Sequence, residues 1–427
     1  MSFRSSLVFA SALLAAACGG AAPSQPAAPA NPAGLVIVNG KVHVADEANT
    51  GVQAAAVKGN TILKLGTTDE IKALAGPATR VIDAKGATVT PGFSDSHVHF
   101  ISGGFSLQQV DLAGLTTLDQ VQAKIKDFAA KQPAGTWVRG FGWLYQPFPN
   151  ASPTKAMLDA VVPDRPAVMD CYDGHSVWVN SVVLKMAGIT KATKDPKNGV
   201  IMRDASGEPT GHLKEAAQGL LDGIMPKETV ESRRAALKLA IAEANKFGVT
   251  TIHNAGTSFD DMDLFDEAKK AGSLTVRSYL ATRGVAGLTE ADVDKMDEAR
   301  QRFGDDPLLR TGIVKMFADG VIEAKTAAML EPYVGSKSAG EPNMTAEEMN
   351  RIVAMFDKRG WQIQIHAIGD RAIRMSPDAF EAAAKANPEP ARGRRHRLEH
   401  IESISAQDIG RFATLGVIAS QQPMHAS

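Results

Sequence analysis

The chain has 427 residues, 44% of them hydrophobic and 22% charged, enough for two to three globular domains with a large buried core. Lys and Arg number 46 against 47 Asp and Glu, a net charge of −1, so no basic surplus points to nucleic acid and no acidic block to a solvating tail. The two cysteines, Cys18 and Cys171, are too few for a disulfide scaffold or a Cys-rich zinc fold.

Residues 1–18 read as an export signal. Arg4 supplies the positive start, and Leu7 to Ala17 is apolar but too short to span a bilayer. Cys18 follows small residues and resembles a bacterial lipobox, in which the cysteine is acylated. Gly19 after it resembles signals for the outer membrane. Residues 19–34 are small, Pro-rich and uncharged, the composition of a tether. The expectation is an exported protein, lipid-anchored in the cell envelope, with no other membrane contact.

Residues 35–90 read as one small sheet. The turn Asn39-Gly40 between Leu35–Val38 and Lys41–Val44 signals a hairpin, and Gly59-Asn60 signals a second. Strands at 81–83 and 87–90 complete it. At 90–97 a strand leads into Asp95-Ser96-His97-Val98-His99. Residues two apart in a strand share a face, so Asp95, His97 and His99 line up, and two such imidazoles can hold one metal ion.

Residues 100–248 form a long insertion with a helix at 118–131, a strand at 136–141 and an extended segment at 168–180. Its aromatics, Trp143 and Tyr145 among them, read as a subdomain core. His175 and His212 are candidate substrate contacts, and Cys171 reads as a small buried residue. From 249 the chain alternates strand and helix: strands at 249–253, 274–281, 309–317, 362–366, 395–400 and 417–420, helices at 258–271, 290–303, 345–359, 370–386 and 405–413. This is the period of a parallel βα fold. With 90–97 there are seven strands.

In (β/α)8 barrels the chemistry sits at the C-terminal strand ends. His97 and His99 end the first strand, His253 the second, His366 the fifth and His400 the sixth. Lys315 lies inside the apolar fourth strand, where an amine needs a partner or a chemical role. His396, beside Arg394, Arg395 and Arg397, reads as surface.

PGFSDSHVHF (91–100), DGHSVWVNS (173–181), GEPTGHLKEAA (207–217), VKMFADG (314–320), HAIGDRAI (366–373), RLEH (397–400) and SQQPMH (420–425), in this order, resemble the metal-dependent amidohydrolase superfamily. The branch they look like is amidohydrolase family 3, which includes N-substituted formamide deformylase-like proteins, and the similarity spans 35–427. It implies an α/β fold: a TIM-type (β/α)8 barrel over 91–427, a smaller β-sandwich half at 35–90 and an α+β insertion. It also implies one or two divalent metal ions, zinc first, on His97, His99, Lys315, His366 and His400, with Lys315, His366 and His400 catalytic. Lys315 would be carboxylated and bridge two ions. His175, His212 and His253 would line the substrate pocket. The implied reaction is hydrolysis of a non-peptide carbon–nitrogen bond in a small-molecule amide, with ester or cyclic-imide hydrolysis as the neighbouring reading.

In that family an eighth strand ends in an Asp that binds metal and moves the proton, and further strands complete the sandwich. This sequence stops at Ser427, just after the seventh strand. The expectation is a fragment of a longer chain that turns over poorly as it stands. The alternative is an inactive, truncated metal- or ligand-binding lipoprotein. The sequence leaves a homo-oligomer open.

Overall fold

The structure is a computed structural model that describes residues 31–422 apart from 49, 173, 175, 197–198 and 323–324. The expected signal with Cys18, the tether up to residue 30, and His175 fall outside the described residues. The chain divides into two compact units at Pro91/Gly92.

The first unit holds two small sheets, not one. Four strands, in the order Thr61–Gly66, Ala54–Lys58, Ala33–Val38, Ala75–Asp83, make the larger. Gly51–Val52, Lys41–His43 and Thr88–Val89 make the smaller. The hairpin expected at Asn39-Gly40 does not form. Asn39 adopts a left-handed φ of 54° and hands the chain from one sheet to the other. Ala33–Val38 pairs instead with the distant Ala54–Lys58 and Ala75–Asp83. The Asn39 side chain is held by Asp83, and its backbone N–H donates to Thr68 Oγ1. The Gly59-Asn60 hairpin does form, joining Ala54–Lys58 to Thr61–Gly66.

In the second unit seven parallel strands make one sheet: Phe93–Val98, Val249–Thr257, Arg277–Arg283, Leu309–Phe317, Gln362–Ala367, Arg397–His400 and Ile418–Ser420, in spatial as in chain order. This is a nearly closed barrel. Side chains of the first and sixth strands meet across its interior: His97 bonds Glu399, and Arg397 donates to the Ser96 carbonyl. The helices Phe259–Lys270, Glu290–Phe303, Ala346–Lys358, Asp370–Ala386 and Ala406–Leu415 fill the connections. Their starts are written locally: Ser258, Thr289 and Thr345 each cap the helix that follows with a side-chain oxygen.

Strand alternation sorts the side chains. Val314, Met316, Ile363, Ile365 and Leu398 pack against the helices Ala346–Lys358 and Asp370–Ala386 in the main apolar core. The alternate residues Lys315, Gln364, His366, Arg397 and Glu399 are buried as well, and therefore face the barrel interior. Strands buried on both faces are what a parallel sheet under helices requires. The insertion forms its own six-stranded sheet, ordered Gly199–Arg203, Pro209–Glu215, Ser176–Val179, Ala167–Cys171, Val138–Trp143, Val110–Asp111. Trp143, Phe148, Trp178 and Cys171 are buried in it, as the aromatic cluster and the lone cysteine suggested. Among the described residues no helix is long and apolar enough to cross a membrane.

Candidate metal centre

Four imidazoles meet at the C-terminal end of the barrel. Ring centroids lie 5.7 Å apart for His97 and His99, 5.0 Å for His97 and His400, and 4.6 Å for His366 and His400. His97 and His366 arrive by simple alternation on their strands. His400 does not: Glu399 already takes the inward position, so the next residue should point outward. The backbone breaks the rule. His400 has φ 74° and Ile401 φ 56°, a left-handed conformation that costs most non-glycine residues about 1–2 kcal/mol. It turns the His400 ring back over the strand ends.

Three of the rings give one N–H to a protein acceptor. His97 Nδ1 donates to Glu399 Oε2 at 2.5 Å, His366 Nε2 to the Gly320 carbonyl at 2.9 Å, and His400 Nδ1 to Gln422 Oε1 at 2.7 Å. In a neutral imidazole the other nitrogen then carries the lone pair. Burial, first of all, lowers the pKa of three of these rings: His99 below its usual value, His366 to about 4 and His400 to about 3, with the Lys315 charge adding to each. At neutral pH these three are uncharged, the form that binds a cation.

Lys315 is 1% exposed. Its Nζ lies 4.9 Å from the Phe317 ring centroid, and burial brings its pKa down to about 8. Among the described residues no carboxylate pairs with it. Gln364, its partner in register on the fifth strand, has a buried Oε1 without a hydrogen bond. The donor set therefore suits a divalent ion in kind: neutral imidazoles around a buried amine and an orphaned amide oxygen. The donor atoms are not gathered about one point, and among the described residues no three of His, Cys, Asp or Glu form a ready-made cage.

The nearby carboxylates are already committed. Asp319 accepts backbone N–H bonds from Ile368, Gly369 and Ala328. It pins two loops together, although burial raises its pKa to about 6. Asp95 accepts the backbone N–H of His97, so it braces the strand that carries the ligand pair. Burial alone would raise the Glu399 pKa, but the His97 hydrogen bond and the Arg397 charge bring it to about 2.

Other expected site residues lie elsewhere. His253 does not face this mouth. Its strand runs on to Thr257, so His253 sits mid-strand, 2.9 Å from Arg397 and edge-on to Tyr279. It lines a cavity of about 780 Å³ with Tyr279, Arg310, Gln362 and Arg397, where strands begin. His212 is fully buried in the insertion, 3.1 Å from Ser152 Oγ and packed on Trp143, and its described ring contacts are not with the cluster. His396 is not at the surface: it is 2% exposed and bonded to Asp357. Sequence reasoning passed over Glu399, which lies between two residues it had singled out.

The family model for the amidohydrolase family matches residues 80–427. The chain belongs to this family. It is 32% identical over 404 residues to the Protein LONG AFTER FAR-RED 3 of Arabidopsis thaliana, covering 92% of this chain and 68% of that protein. It is 30% identical over 393 residues to the N-substituted formamide deformylase of Arthrobacter pascens, covering 90% and 71%. Among solved structures it resembles an uncharacterized metal-dependent hydrolase from Pyrococcus furiosus, with a TM-score of 0.69, 25% identity and coverage of 91% and 77%. The amidohydrolase chain is accordingly a hydrolase by family, and a divalent metal ion goes with that family.

Proposed function

We propose that this amidohydrolase cleaves a non-peptide carbon–nitrogen bond in a small amide, with an N-formyl or N-acyl amine as the substrate class. The observation that carries the reading is the cluster of four imidazoles, three of them with one N–H committed to the protein, above the buried Lys315. The match to a formamide deformylase supports the choice of bond. His97, His99, Lys315, His366 and His400 would hold one or two divalent ions, zinc first. A bound divalent ion supplies water of pKa near 7 and polarises a carbonyl. The protein's own part is to keep His99, His366 and His400 neutral by burial and to fix the tautomers of His97, His366 and His400 through Glu399, Gly320 and Gln422. Lys315, with a pKa near 8, has a fraction of neutral amine at physiological pH. That amine can add carbon dioxide, release a proton and become a carbamate, an anionic oxygen ligand where a buried ammonium would repel metal. His175 and His212 stay candidates for substrate contact; His253, at the opposite end of the barrel, does not. Export with a lipid anchor at Cys18 belongs to the same proposal.

The test is to load the purified chain with zinc, count the metal, and assay N-formyl and N-acyl amines beside esters and cyclic imides. Amine release that needs the metal supports the reading, and ester or imide turnover alone would move the bond assignment. A second reading, metal binding without turnover, draws on the committed carboxylates: both oxygens of Asp319 and of Glu399 already accept hydrogen bonds from the protein. Metal uptake with no product from any substrate class would favour it.

A further inference from the structure

We propose that the buried pair Arg397–Glu399 is the positioning element of this metal centre, with Glu399 setting the tautomer and direction of His97. This rests on the reading of His97 as a metal ligand.

Glu399 sits on the sixth strand one residue before His400, and its carboxylate is engaged by the protein on both oxygens. Oε1 accepts Arg397 Nε at 2.9 Å, and Oε2 accepts both His97 Nδ1 at 2.5 Å and Arg397 Nη2 at 3.2 Å. Glu399 is fully buried and Arg397 is 4% exposed. A carboxylate on Nδ1–H keeps that proton in place and leaves Nε2 as the lone-pair nitrogen. It also locks the ring's rotation and makes it a stronger donor, the usual effect of an outer carboxylate on a ligating histidine.

Arg397 extends the same control to the backbone. Its Nη2 donates to the carbonyl of Ser96, the residue before His97, at 2.8 Å and to Ser420 Oγ on the seventh strand at 2.9 Å. Its Nη1 donates to His253 Nδ1 on the second strand at 2.9 Å. One guanidinium thus ties the first, second, sixth and seventh strands. A buried ion pair is poor evidence for added stability, because desolvation offsets its attraction. Fixing a geometry is the better explanation for keeping both charges.

The experiment measures zinc affinity by competition with a chromophoric chelator, together with the visible spectrum of the cobalt-substituted protein and near-UV circular dichroism for the fold. The double variant Arg397→Met, Glu399→Leu removes both charges and leaves neither unpaired. It should stay folded, bind zinc about 10–100-fold more weakly and change the cobalt spectrum. Glu399→Gln keeps an acceptor for Nδ1–H but loses the charge assistance, and should weaken binding about threefold or more. It carries the test if the double variant does not fold. In a His97→Ala background the Arg397 and Glu399 replacements should have no further effect on affinity, since their target is gone. A folded double variant, or Glu399→Gln, with wild-type affinity and spectrum would overturn the proposal. His97→Ala with wild-type affinity would instead overturn the ligand reading beneath it, so the two failures are distinguishable.

Discussion

Replacing Lys315 by Met separates what the amine costs the fold from what it gives the site. Met has a similar length and no charge, so the packing against Phe317 is kept. Lys315 is 1% exposed, and burial brings its pKa from 10.5 to about 8, a shift worth about 3 kcal/mol. The unfolded chain holds the lysine proton more tightly than the folded one. The penalty is therefore complete below pH 8 and disappears as pH rises from 8 to 10.5. Metal-free Lys315→Met should be more stable than the parent by up to about 3 kcal/mol at pH 7. The parent should gain stability between pH 8 and 10, and the variant should lack that slope. Urea unfolding in carbon dioxide-free buffer, followed by tryptophan fluorescence, reads both. The same variant should lose bound zinc, falling to one or no ion per chain. A metal-free variant less stable than the parent at pH 7 would mean the ammonium is compensated inside the barrel, and the burial argument would fail. Unchanged metal content would remove Lys315 from the ligand set.

The histidines make further predictions. His97→Ala, His366→Ala and His400→Ala should each lower zinc per chain in elemental analysis, whereas His253→Ala and His212→Ala should not. Metal-free stability should fall with acid: His366 and His400 keep pKa values of about 4 and 3 when folded, so below about pH 6.5 the unfolded chain takes up protons that the folded one refuses. Asp319, raised to about 6, works the other way, since its protonation below pH 6 relieves a burial cost. Two rings outweigh one carboxyl, and a urea midpoint that stays flat from pH 7 to 5 would contradict the pKa assignments. Gly369→Ala should destabilise by about 3 kcal/mol in the same unfolding assay, because its Cβ would lie 2.2 Å from the Ala328 carbonyl oxygen, in the loop junction that Asp319 pins.

The barrel was legible because its local signals agree with one another. The helix expected at 290–303 spans Glu290–Phe303, the helix at 370–386 spans Asp370–Ala386, and the strand at 309–317 spans Leu309–Phe317. Each has a uniform period, and the first of these helices opens on a capping box from Thr289 and Asp292. The first unit was harder to read, because pairing there is long-range. Nothing near Asn39 reveals that Ala33–Val38 will bond strands ending at Lys58 and Asp83. His253 was misplaced by the length of its strand, which continues through Ala255 and Gly256 with a shift in register. His396 was misjudged from its arginine neighbours. The charge of Asp357, from the Ala346–Lys358 helix, holds it inside.

The segment Arg397-Leu398-Glu399-His400 marks where strand periodicity stops being a guide to the site. Alternation puts Arg397 and Glu399 inside and Leu398 against the helices, and all three obey it. A purely periodic strand would then send His400 outward, and a ligand there would be discounted. The left-handed backbone at His400 and Ile401 lets consecutive residues serve the same centre at different depths. Glu399 works from below through His97, and His400 works from the rim. No propensity signals such a turn at a histidine followed by a β-branched residue, where positive φ is a real outlier. The surroundings enforce it: the Ile401 N–H is bonded to the Ala367 and Glu399 carbonyls, and the Ile401 side chain is 5% exposed in the main core. Strain held in place by packing, at the residue that brings a fourth imidazole to the cluster, is the pattern expected where geometry at a site outranks local stability.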